Sequence, residues 1–292
     1  VHDDGTRDSA RGARGASHAT PDRDPAHVAA LFDRNAATYD RVNTVITLGL
    51  DALWRRWAAR QAIPQTPSQG RAEAPPSGGL REAPPRGGAQ TSPPGGPSYW
   101  PPRVLDACAG TGLLTLDLAR RGAAVTAVDA APGMLAVARD RLAAAGLPLR
   151  TVVADLASAE AVATLGGPFE AITLGFGLRY FADPGALLRL LRELLVPGGR
   201  LVVVEAVRPP RDPLGAAAGL YFFEVAPRLG AVLAGHAALY EVLTASTRAL
   251  GSADHVAAHL RRAGFAVAAR RRFACGVVVG LVAARPERPR PQ

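Results

Sequence analysis

Val104-Leu105-Asp106-Ala107-Cys108-Ala109-Gly110-Thr111-Gly112 is the stretch that decides the fold. A short apolar run ends in a carboxylate and a Gly-rich turn, and Leu113 to Arg121 then continues with helical spacing. The same alternation repeats downstream. Ala124 to Asp129 predicts a strand, Met134 to Ala145 a helix, and Arg150 to Ala154 and Phe169 to Leu174 two further strands. Pro184 to Leu195 predicts a helix, Pro197-Gly198-Gly199 a turn, and Arg200 to Glu205 a fifth strand. Helix Ala253 to Ala263 and strands near Val267 to Phe273 and Val277 to Ala284 close the pattern. Apolar strands alternating with amphipathic helices imply an α/β, doubly wound, mostly parallel sheet of seven strands, covered on both faces.

Outward from this core, 103–285, the chain changes character. Residues 1–24 have the composition of a disordered tail, and 286–292 form a short tail. From Pro25 to Ile63 the apolar residues Val28, Leu31, Phe32, Leu50, Leu53, Trp54 and Trp57 recur at helical spacing, giving an amino-terminal helical cap over 25–63. Pro64 to Pro102 is rich in Pro, Gly, Gln, Ser and Arg and reads as a flexible insertion that cannot bury enough surface to offset its ordering entropy. A mostly helical segment at about 212–250 is expected to cover the substrate pocket. Its apolar run, Leu214 to Phe223 with Ala231 to Leu233, reads either as core packing or as an apolar mouth for a lipid tail.

Charge and composition narrow the function classes. The net charge is +9, and all 34 basic residues are Arg, scattered mainly as pairs, with no aromatic-interleaved stripe. Specific nucleic-acid binding is therefore not expected, whereas a positive field near anionic lipid is. The two cysteines, Cys108 and Cys275, make no disulfide framework, and no metal site is expected. No apolar h-region opens the chain, and its longest apolar stretch, Leu214 to Gly235, is interrupted by Glu224, Pro227 and Arg228. A cytoplasmic protein, peripheral at the inner face of the membrane, is the expectation. His255 and His259 lie four apart on one helix face without an evident third ligand, and His236 is a weak candidate base in the cover segment.

Three acids stand at three successive strand ends: Asp106, Asp129 and Asp155. Singly, each reads as readily as a turn or helix cap. Together, beside Gly110-x-Gly112, they describe a nucleoside pocket at the carboxyl edge of the sheet. A dinucleotide fingerprint would place a third Gly where Thr115 stands. A carboxylate at Asp106 would repel a pyrophosphate but suits a ligand carrying an ammonium and a sulfonium, which favours S-adenosylmethionine over a nicotinamide cofactor. Asp129 can accept ribose hydroxyls, and Asp155 the adenine amino group.

The chain resembles the ubiquinone/menaquinone biosynthesis C-methyltransferase family, most closely its demethylmenaquinone methyltransferase members. The resemblance is carried by Phe32-Asp33, Ala36, Tyr39-Asp40, Asn43, Leu48-Gly49-Leu50-Asp51 and Trp54-Arg55, by Val104 to Gly112, and by Val128-Asp129 with Met134-Leu135. Further along it includes Gly175-Phe176-Gly177-Leu178-Arg179, Asp183, Leu195-x-Pro197-Gly198-Gly199 and Pro227-Arg228-Leu229-Gly230. It implies a class I S-adenosylmethionine-dependent methyltransferase fold, with cofactor contacts from Thr111, Asp129, Asp155 and, through its backbone, Leu156; Asp106, Gly110, Gly112 and Gly175 complete the expected cofactor-binding set. It also implies C-methylation of a reduced polyprenyl quinone, demethylmenaquinol to menaquinol. On the acceptor side Arg179 would stabilise a phenolate or position a water, and Tyr39 and Asp40 would line or close the site. The alternative to that role for Arg179 is a salt bridge to a nearby acid such as Asp183. The family implies a lipophilic quinol as partner and allows a homodimer. Leu113, Tyr180 and Leu281 depart from the family's acid, Asn and His, and Leu156-Ala157-Ser158 from its Leu-Pro-Phe. These departures leave open a diverged enzyme acting on another phenolic, benzoquinone or secondary-metabolite acceptor.

Overall fold

The structure, a computed structural model, describes residues 25–64, 101–158, 162–235 and 237–287. The expected tail 1–24, residues 288–292 of the expected tail 286–292, most of the Pro-rich insertion and His236 lie outside the described residues. The helical amino-terminal segment is two helices, α1 (Pro25–Ile46) and α2 (Asp51–Ala62). They are parted by a turn in which Leu48 and Gly49 take positive φ. The α/β unit follows as β1 (Arg103–Ala107), α3 (Leu113–Ala119), β2 (Ala124–Asp129), α4 (Pro132–Ala144), β3 (Arg150–Val153) and β4 (Phe169–Gly175). It continues with α5 (Pro184–Leu194), β5 (Leu195–Ala206), α6 (Pro213–Leu220), a π turn (Tyr221–Val225), α7 (Ala226–Ala234) and α8 (Ala238–Leu250). Last come α9 (Ala253–Arg262), β6 (Ala266–Phe273) and β7 (Val278–Ala284).

The seven strands form one sheet in the order β3-β2-β1-β4-β5-β7-β6. The first five are mutually parallel, and β7 runs antiparallel between β5 and β6. One face is packed by Leu187, Leu188 and Leu191 of α5 with Val256 and Leu260 of α9. The other is packed by Trp54, Trp57 and Ala58 of α2 with Leu114 and Leu118 of α3. Strands buried on both sides explain why β1, β4 and β5 read as near-continuous apolar runs. The α2 helix sits close because β7 offers a glycine: a Cβ on Gly280 would lie 2.2 Å from the Trp57 ring.

Two local expectations change. Pro197-Gly198-Gly199 is not a turn between elements but a bulge inside a continuous β5. The ladder pairs Phe169 with Leu195 and then Ala171 with Arg200, so two steps along β4 span five along β5. Arg285 holds the extra length through backbone bonds to Gly198 and Gly199, each 2.9 Å. Along the apolar stretch near Leu214, Pro227 does not end the helix. Helical structure continues from Pro213 to Ala234, with the π turn just before Pro227, where a wider turn accommodates the missing N–H. This run is long and apolar enough to cross a membrane by length and composition, with mean hydropathy 1.3, yet only 11% of its most apolar window is buried.

Candidate functional site

Because β1, β2, β3 and β4 run parallel, their carboxyl ends meet at one edge, and the chain following each strand lines one cavity there. The sheet supplies Asp106, the Cys108-to-Thr111 turn, Asp129, Asp155 and Gly175 to Gly177; α1 and α2 roof it with Phe32, Tyr39, Asp40, Asn43 and Trp54. Two wall residues at central strand ends, Cys108 and Phe176, hold positive φ of 55° and 58° although neither is glycine. Such strained backbone persists where the surrounding structure over-determines it, commonly at binding sites.

The three acids are each held by donors. Asp106 is buried at the end of β1 and accepts from the hydroxyls of Thr115 and Thr173, both at 2.6 Å. Burial pushes its carboxyl up to about 6, against the pull of those two hydroxyls. Asp129 accepts from the Gly110 N–H at 2.8 Å and the Ala131 N–H at 2.9 Å. Its carboxyl is also raised by burial, with the backbone bonds opposing. Asp155 accepts from the Ala157 N–H at 2.8 Å, so it both caps its turn and lines the cavity. The wall therefore presents hydrogen-bond acceptors fixed in place before a ligand arrives.

The roof is fastened to the same turn. Asp40 accepts from the Thr111 hydroxyl at 2.6 Å and is paired with Arg141, which also donates to the Thr111 carbonyl. Asp33 accepts from the Gly133 N–H at 2.8 Å. It thereby caps the start of α4, whose own N-cap, Ala131, offers no side-chain bond. Tyr39 packs edge-on against Phe32, and burial pushes its phenol well above the ordinary tyrosine range.

Of the residues expected at the cofactor, Asp106, Gly110, Thr111, Asp129, Asp155 and Gly175 line the cavity. Gly112 and Leu156 do not. Gly112 starts α3 with φ 76° and faces Ala138, where a Cβ would come within 2.6 Å, so its need for glycine is packing of α3 on α4. Leu156 points its side chain into the core beneath the sheet edge.

On the acceptor side the arrangement differs from expectation. Arg179 is not at the wall; its guanidinium lies behind two wall aromatics, 5.6 Å from the Phe176 ring centre and 4.9 Å from that of Tyr180. Its salt bridge is to Glu205 at the end of β5, and both side chains are buried. Asp183 instead caps α5 through the Ala186 N–H and pairs with Arg189. Glu205 is the residue that sequence reasoning missed. The available signal was an acid at the carboxyl end of an otherwise apolar strand, the same signal that singled out Asp106 and Asp129. Among the departures, Leu113 and Tyr180 line the cavity, while Leu281 is buried in β7 beside β5. His255 takes part in the capping box of α9 with Ser252, away from the cavity.

Comparison with known proteins identifies the family. The profile of the ubiE/COQ5 methyltransferase family matches residues 86–285. A demethylmenaquinone methyltransferase of Thermus thermophilus is 34% identical over 239 residues, covering 81% of this chain and 92% of its own. One from Clavibacter sepedonicus is 34% identical over 254 residues, covering 87% and 88%. One from Mycobacterium tuberculosis is 31% identical over 278 residues, covering 94% of this chain and all of the relative.

Proposed function

The chain belongs to the ubiE/COQ5 methyltransferase family, and from that premise we propose that it methylates a ring carbon of a reduced polyprenyl quinone, demethylmenaquinol to menaquinol, with S-adenosylmethionine as donor. The observation that carries the reading is the convergence of Asp106, Asp129 and Asp155 on one cavity whose remaining wall is largely apolar and aromatic.

The three carboxylates fit the cofactor by their chemistry. A ligand whose polar groups include an ammonium, ribose hydroxyls and an amino group needs acceptors for them, and three carboxylates supply these; a pyrophosphate would be repelled. When bound, the cofactor supplies a sulfonium methyl that is already electrophilic. The work left to the protein is alignment and exclusion of water. Asp129 receives the ribose hydroxyls, Asp155 the adenine amino group, and Asp106 the cationic end of the ligand. Phe32, Trp54, Phe176 and Phe181 give an acceptor ring an apolar berth in the same cavity. Tyr39 and Asp40 close the roof, and the Asp40–Arg141 pair anchors it to α4.

The exposed apolar stripe of α6 and α7 supports peripheral contact with a lipid surface. Leu214, Leu220, Val225, Leu229 and Val232 are exposed along it. A prenylated acceptor resides in such a surface.

The test is methyl transfer from labelled S-adenosylmethionine to reduced demethylmenaquinone, with reduced demethoxy-benzoquinones in parallel and the product located by mass spectrometry and NMR. A C-methylated naphthoquinone is expected. Transfer only to a benzoquinone or another phenol would reassign the acceptor. Failure of S-adenosylmethionine to bind in calorimetry, with Asp129→Ala no different, would sink the reading altogether.

A further inference from the structure

Tyr180 occupies a position that the mechanism above leaves without a role, and its surroundings are unusual. Its ring lines the cavity and meets Phe32 edge-on at 5.5 Å. Its hydroxyl accepts from Nη2 of Arg179 at 3.1 Å, while Nη1 of the same guanidinium is spent on Glu205. Glu205 in turn accepts from the Ala206 N–H at 2.9 Å. Arg179 itself is screened from the cavity by Phe176 and Tyr180. Of the two wall aromatics that cover this buried cation, Tyr180 is the one that takes a hydrogen bond from it. A hydroxyl that accepts from a cation is a stronger donor of its own proton, since hydrogen bonds in series polarise one another.

We propose that the Tyr180 hydroxyl is the group that touches the acceptor, donating a hydrogen bond to a ring oxygen beside the carbon to be methylated, with Arg179 and Glu205 as positioning residues behind it. No proton leaves Tyr180; the hydrogen bond orients the ring and stabilises the phenolate formed when the acceptor's own hydroxyl proton passes to solvent. That charge leaves the oxygen as the carbon bonds to the methyl, after which the ring C–H proton is lost to solvent and the aromatic ring re-forms. The site then selects aromatic acceptors that carry an oxygen. Burial raises the Tyr180 phenol above the ordinary tyrosine range, with Arg179 opposing, so it remains a donor throughout neutral and mildly alkaline pH. The proposal rests on the methyltransferase reading but not on the identity of the quinone.

The experiment compares the wild-type chain, Tyr180→Phe and Tyr39→Phe. Phe keeps the ring and its contact with Phe32, so the fold is retained, and calorimetry with S-adenosylhomocysteine checks the cofactor half of the cavity. Binding of 1-naphthol and of 1-methylnaphthalene is then titrated with S-adenosylhomocysteine present. The expected result is a preference for 1-naphthol that falls about tenfold in Tyr180→Phe, the scale of one hydrogen bond, and persists in Tyr39→Phe. Where reduced demethylmenaquinone is turned over, kcat falls in Tyr180→Phe by the same factor at pH 7 and pH 9; a deficit that grows with pH would make Tyr180 a base and overturn the donor assignment. Unchanged naphthol preference in Tyr180→Phe, or its loss in Tyr39→Phe instead, also overturns it. Absence of quinol turnover by the wild-type chain counts against the proposed acceptor alone, because the naphthol titration stands without it.

Discussion

Asp106 shows what burial does to a single carboxylate at this site. Its carboxyl is pushed up to about 6, above the value of about 4 of an unfolded chain. Relative to the unfolded chain, burial thus favours the neutral form below about pH 6, while the carboxylate predominates at pH 7: the stability it contributes is fully present below the unfolded pKa and is lost as pH rises through about 6. A cationic ligand beside it reverses that preference and binds best to the ionised form. Affinity for S-adenosylmethionine should fall about tenfold between pH 7 and pH 5 in calorimetry, following the protonation of one group. Asp106→Asn should bind more weakly at pH 7 but flatten the profile. A wild-type profile already flat over that range would remove Asp106 from the cationic end of the ligand. Asp129 differs in kind: two backbone N–H groups hold it, so its geometry is part of the turn as well as of the cavity.

At the scale of elements, the site depends on how closely α2 lies on the sheet. Trp57 fits over Gly280 and meets Phe273 edge-on at 5.5 Å, and Trp54, one turn earlier, reaches the cavity wall against Phe176 at 5.9 Å. Gly280→Ala would drive a methyl into the Trp57 ring, so α2 must shift away from β7. A loss of about 1–3 kcal/mol in urea denaturation is expected, with a raised KM for the acceptor from displacement of Trp54. Unchanged stability would mean that α2 is held by its other contacts. The sequence announced α2 through apolar spacing, and it announced the three strand-end acids through a carboxylate closing each apolar run. It did not announce Arg179–Glu205. The two are 26 residues apart, on a turn after β4 and at the end of β5, and neighbour each other only because those strands lie side by side.

For the whole molecule, the proposed lipid contact draws on both the net charge of +9 and the exposed apolar stripe of α6 and α7. A surface helix ordinarily turns charge outward; here Leu214, Leu220 and Val232 are 72%, 64% and 79% exposed. Burying such side chains in a lipid interface gains roughly 1.5–3 kcal/mol each, and Arg adds attraction to anionic headgroups. Leu220→Glu combined with Val232→Glu should lower co-sedimentation with phosphatidylglycerol vesicles at least about tenfold. Wild-type binding should weaken with added salt. Turnover of a short-tailed acceptor in solution should be kept. Equal co-sedimentation of the double variant would place lipid contact elsewhere.

What the sequence by itself determined is the order of strands and helices, the sheet edge that holds the site, and the acids upon it. Those features are contiguous: each strand, its terminal carboxylate and the glycine turn after it are neighbours in the chain, so local spacing exposes them. Tertiary structure alone decided the rest. Packing of β4 against β5 buried Arg179 with Glu205 and left Tyr180 at the wall. Docking of α1 brought Asp40 to Arg141, 101 residues away, and closed the roof. Apolar spacing marked 214–233 as hydrophobic but could not say whether core or solvent would meet it. Only the finished fold, with its cores already filled on both faces of the sheet, shows that stripe turned outward.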